Sequence, residues 1–85
     1  MSYKYEDIKP ELFTEQGVEM LMKVKDQVGR LLFTAGAFTT EKVMRTVTGD
    51  SWLQLACLDY LVEKGEIELA SNKGMSQQWV YTKGV

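Results

Sequence analysis

Cys57 is the chain's one thiol, and histidine is absent. A thiol becomes a nucleophile when a neighbouring cation lowers its pKa. Cys57 has no cation beside it in sequence and is followed by Leu58, so it reads as a buried structural thiol. Without histidine, Ser-His-Asp and Cys-His arrangements lack their usual base. A structural zinc site draws on about four His or Cys ligands, more than this chain holds. Glu66 and Glu68 face the same way if they sit on one strand. One reading makes them an acid pair; the other makes them charges that discourage edge-to-edge sheet pairing. No G-x-x-x-x-G-K-[ST] or G-x-G-x-x-G spacing occurs, so no phosphate loop is signalled. The expectation is a non-enzymatic chain with no cofactor and no metal.

A length of 85 residues suits one domain. Hydrophobic residues at 45% and charged residues at 26% fit a globular chain and not a disordered one. A lone cysteine cannot close an internal disulfide, so no oxidising compartment is marked. Ten Lys or Arg stand against twelve Asp or Glu, a net charge of −2. Phosphate contacts supply most of the non-specific affinity of nucleic-acid-binding domains, so this balance weighs against DNA, although a local basic patch suffices. The stretch Met1–Asp7 has no apolar h-region, and the longest unbroken apolar run is Leu55–Leu58, far short of the ~20 residues of a membrane span. No membrane association and a cytoplasmic compartment are expected.

The elements that must position any site follow from periodicity. Residues 1–13 form an N-terminal arm in which Tyr3 and Tyr5 alternate with charged residues, as in an edge strand or a loose arm. Residues 14–85 form one domain. Thr14 is a good N-cap, followed by Glu15 in the first turn. Apolar residues then recur at Val18, Leu21, Met22, Val28, Leu31, Leu32 and Ala35, the stripe of an amphipathic helix over 15–35 that Gly36 stops. Ala37–Thr39 is a strand stub. A second helix covers 41–47, and Asp50 caps a third from Ser51 to about Lys64, ended by Gly65. The alternation at Glu66–Leu69 and the β-branched and aromatic run Gln78–Thr82 read as an antiparallel hairpin. The class is α+β.

The stretch Cys57-Leu58-Asp59-Tyr60-Leu61-Val62-Glu63-Lys64-Gly65-Glu66-Ile67, in this order of elements, resembles the recognition helix and first wing strand of the winged helix-turn-helix superfamily. The resemblance covers roughly residues 15–83 and is nearest to small stand-alone bacterial or phage domains. It implies three helices, a short strand stub and a C-terminal hairpin wing. It also implies that the exposed face of helix three meets the DNA major groove.

The residues on that face disagree with a groove reader. At ~100° per residue, Gln54, Cys57, Leu58 and Leu61 turn inward, and Trp52, Ala56, Asp59, Tyr60 and Glu63 turn outward. The outward set holds two carboxylates and two aromatics and none of the Arg, Lys, Asn or Gln side chains that read bases. Helix three therefore reads as a protein-binding surface of a small regulator or adaptor, and Trp52, Ala56 and Tyr60 could also pair two copies as a homodimer. A blander reading folds Trp52 and Tyr60 back onto helix one or the arm and leaves Asp59 and Glu63 as solvated charges. The alternative function is a DNA-binding transcriptional regulator using Lys42 and Arg45 of helix two with Lys73, Gln77 and Lys83 on or beside the wing. Met75 is an apolar residue at the wing tip and a possible contact point.

Overall fold

Capping side chains set the helix boundaries. In the computed structural model, which describes residues 2–75 and 78–84, a short helix α1 (Tyr5–Ile8) runs into a 3-10 turn (Lys9–Phe13). The long helix α2 (Glu15–Ala35) follows. The Thr14 hydroxyl accepts the Gly17 N–H at 3.1 Å and donates to the Glu11 carbonyl at 2.6 Å, so one side chain ends the turn and starts the helix. Gly36, at φ +76°, closes α2 in the left-handed conformation that glycine adopts without a Cβ clash. Strand β1 (Ala37–Thr39) leads directly into α3 (Thr40–Thr46), capped by Thr39. The Asp50 carboxylate accepts the Trp52 N–H at 2.9 Å and the Leu53 N–H at 3.4 Å, opening α4 (Ser51–Glu63). This α4 is the third helix of the sequence reading.

Strands β2 (Ile67–Ser71) and β3 (Val80–Lys83) complete an antiparallel sheet of order β1-β3-β2. Phe38 pairs with Tyr81 across β1 and β3, and their rings stack at 5.4 Å. Leu69 lies opposite Tyr81 on the other side, with a bulge between Leu69 and Ser71. The fold is α+β, with helices packed on one small sheet.

The core joins Val24 and Val28 of α2, Val43 of α3, Leu58 and Leu61 of α4, and Ile67 and Tyr81 of the sheet. Each fully buried aliphatic side chain of this kind contributes about 1.5–3 kcal/mol. Gln54 is also buried, and its Nε2 donates to the Val47 carbonyl, locking the turn between α3 and α4.

Two features differ from the sequence reading. The lead-in, described from Ser2 to Phe13, is neither an edge strand nor a loose arm: from Tyr5 it is helical, and Leu12 is part of the core. Gly17 permits this, because a Cβ there would stand 1.9 Å from the Glu11 carbonyl oxygen and 2.6 Å from the Leu12 Cα. Val18 and Met22 of the α2 stripe are exposed, since the core takes a narrower arc of the helix, centred on Gly17, Val24 and Val28.

Candidate functional site

The five residues expected to face outward from α4 do share one side of the helix, but that side is covered by residues 3–13. Tyr3 donates its phenol proton to the Asp59 carboxylate at 2.7 Å, and Tyr5 donates to the Glu63 carboxylate at 2.5 Å. Lys9 pairs with the second Glu63 oxygen at 2.8 Å. The rings follow the same pairing. Tyr3 meets Trp52 edge-on at 6.3 Å, and Phe13 meets Tyr60 edge-on at 6.0 Å. Edge-to-face pairs at such distances add stabilisation beyond the area they bury.

Contrary to the outward placement expected from spacing, Ala56 is fully buried and offers nothing to a partner. Trp52, Asp59 and Tyr60 are half-buried, and Glu63 is exposed. The blander sequence reading had the rings folded back onto the arm, and the rings do lie there. Asp59, however, is half-buried and held by Tyr3, while Glu63 stays exposed to solvent and also bonds Tyr5 and Lys9.

The pairing changes the proton affinities. Burial pushes the Asp59 carboxyl above its ordinary value, and the Tyr3 hydrogen bond pulls it part of the way back. Lys9, and then Tyr5, lower Glu63. Burial, reinforced by the carboxylate each one bonds, raises both phenols well above the ordinary tyrosine value. Burial pushes the Cys57 thiol up to about 12, so at neutral pH it is protonated and unreactive.

What remains open on this side is a composite of arm and helix. Phe13 is 64% exposed beside Tyr60, and the Lys64 ammonium lies 5.4 Å from the centre of the Tyr60 ring. At the other end, Ser2, Lys4, Asp7 and Ile8 form a shallow cleft against Trp52. Tyr3, Tyr5, Lys9 and Phe13 escaped the sequence reading. The signal that could have found them is that 52–62 carries apolar residues on both sides of the helix, with Gln54 and Asp59 its only strongly polar side chains, as in a helix covered on both sides.

The basic residues of the alternative reading are dispersed. Lys42 and Arg45 share a shallow depression with Thr39 and Glu41, and Arg45 is bound to Glu41 at 2.6 Å. Lys83 lines a separate groove with Gly29, Phe33 and Glu66. Lys73 is exposed in the loop between β2 and β3, as is Met75, while Gln77 lies outside the described residues. Among the described residues no three His, Cys, Asp or Glu side chains form a metal-binding group, and no helix is long and apolar enough to cross a membrane.

Comparison with protein-family models, with curated proteins and with solved structures returned no match.

Proposed function

We propose that the chain is a non-enzymatic winged-helix module, a small regulator or adaptor that binds another protein at the surface shared by α4 and the N-terminal segment. The helix-strand-helix-helix-strand-strand order and the β1-β3-β2 sheet support the winged-helix reading. The observation that carries the functional reading is the state of α4. Its outer face, where a groove reader needs free cations and amides, carries Asp59 and Glu63 and is closed by Tyr3, Tyr5 and Lys9. Phe13, Tyr60 and the cleft at Trp52 offer aromatic anchors of the kind that dominate protein interfaces.

Photo-crosslinking tests this, with a photoreactive phenylalanine analogue at position 13 and, as control, at Glu68 on β2. The reading expects one protein species captured from position 13 and absent from position 68. Fluorescence anisotropy with random duplex DNA expects no binding below ~100 μM. Tight, steeply salt-dependent DNA binding lost on Lys42→Glu would overturn the proposal in favour of a transcriptional regulator that uses α3 and the wing.

A further inference from the structure

The outer face of α4 already seats a segment of defined chemistry, the chain's own residues 2–9. Tyr3 and Tyr5 donate to Asp59 and Glu63, Lys9 brings an ammonium to Glu63, and the Tyr3 ring stands edge-on to Trp52. The hold is superficial. No residue from Ser2 to Lys9 is buried, and among the described residues no backbone hydrogen bond joins this segment to α2, α4 or the sheet. A segment with few buried contacts opens at low cost. Pro10 follows it and has no N–H to lose on opening. Just beyond, Leu12 is 1% exposed and stays pinned against Gly17 of α2. Phe13 therefore remains beside Tyr60 whether residues 2–9 are seated or not.

We infer that residues 2–9 are a displaceable internal stand-in for the partner, which binds α4 by replacing them with a segment of the same chemistry. That segment brings two hydroxyl or amino donors for Asp59 and Glu63, a cation beside the second, and an aromatic edge for Trp52. The inference rests on the reading of α4 as a protein-binding face. The two carboxylates, one turn apart, set the class: an ionised carboxylate only accepts, so an acidic segment would leave both unpaired. A second copy of the chain does not fit the seat. Its Leu12 stays in its own core, so its residue 9 cannot reach a seat whose approach is taken by the first copy's Glu11 and Leu12. While seated, residues 2–9 lower the affinity for the partner by the fraction of chains that are open.

Anisotropy of a fluorescently labelled peptide of residues 2–9, titrated with the full chain, tests the replacement. The wild-type chain should bind it weakly, because the same segment competes from within. Tyr3→Phe with Tyr5→Phe in the chain keeps both rings, removes both donors and should tighten binding at least tenfold. Lys9→Ala in the chain should shift it the same way. Adding Glu63→Lys should abolish the gain, because the seat itself is then lost. A peptide with both tyrosines replaced by phenylalanine should bind at least tenfold more weakly than the native peptide. In hydrogen exchange of the wild-type chain, the bonded amides of Asp7 and Ile8 should exchange faster than those of α4. No gain in either variant, a gain that survives Glu63→Lys, or protection at Ile8 equal to that of α4 overturns the inference. A chain that dimerises and binds no peptide overturns it in favour of exchange between copies. Crosslinking from position 13 without a gain in peptide binding removes the stand-in and leaves the partner reading standing; a gain without crosslinking keeps the displaceable cover and removes the partner.

Discussion

The Tyr5 phenol and the Glu63 carboxylate, 58 residues apart in sequence, meet at 2.5 Å. One turn back along α4, Tyr3 and Asp59 repeat the arrangement at 2.7 Å. The N-terminal segment is thus fastened to the helix by two phenol–carboxylate bonds, with Lys9 bracing the second. A phenol can donate only while protonated, so the fastening depends on pH.

Both tyrosines hold their protons more tightly in the folded chain than in the unfolded one. Raised folded pKa values mean that their contribution is complete below the ordinary tyrosine pKa of about 10 and fades as pH climbs beyond it. Trp52 touches Tyr3 and reports the event. Its fluorescence should change above about pH 10 before the far-ultraviolet dichroism of the helices does. In Tyr3→Phe this early step should be smaller. Simultaneous loss of both signals would argue against a separately released segment.

The two carboxylates of α4 answer acid in opposite senses. Asp59 is raised, chiefly by burial, so its charged form costs stability, and that cost grows as pH rises through its folded pKa. Glu63 is lowered, chiefly by Lys9, so its contribution is present above the ordinary carboxylate pKa and is lost as pH falls through the folded one. Asp59→Asn keeps an oxygen for the Tyr3 phenol and removes the buried charge, so the urea midpoint at pH 7 should be unchanged or higher. Glu63→Gln should lower the midpoint slightly at pH 7, and the difference from wild type should shrink in acid and in high salt.

Two glycines of α2 should respond in opposite directions to the same substitution. Gly17→Ala drives a methyl group into the backbone of Glu11 and Leu12 and should cost more than ~2 kcal/mol in urea denaturation. Gly29→Ala meets nothing and improves helix propensity, so it should gain up to about 1 kcal/mol. Equal effects at the two positions would contradict the packing of the 3-10 turn on α2.

Cys57 should be silent to thiol reagents in the native state. It is fully buried and its pKa is pushed up to about 12, so labelling by a disulfide reagent at pH 8 should proceed only at the rate of opening, and at once in 6 M guanidinium. Rapid native labelling would place the thiol elsewhere than in the core.

Much of the architecture was legible because it is local. Thr14, Gly36, Asp50 and Gly65 mark their helix ends by side-chain or backbone chemistry that acts within a few residues, and the change of period after Gly65 marks the hairpin. The candidate site was legible in part. The outward side of α4 is where spacing puts it, except that Ala56 is sealed. What covers that side was not legible, because Tyr3 and Tyr5 alternate with charged residues as strand residues do, and the partners that decide otherwise lie more than fifty positions away. The exposed arc of α2 was missed for a related reason. A stripe of Val18, Leu21, Met22 and Val28 is wider than the core needs, and periodicity does not tell which edge is left over.

The sheet places β3 between β1 and β2, although β3 follows both of them along the chain. A polypeptide made from its amino end therefore carries two strands with no mate until Val80–Lys83 emerges, and Phe38 waits for Tyr81 to stack against it. Assembly of the sheet waits for β3, while α2 and its caps can form before that strand emerges.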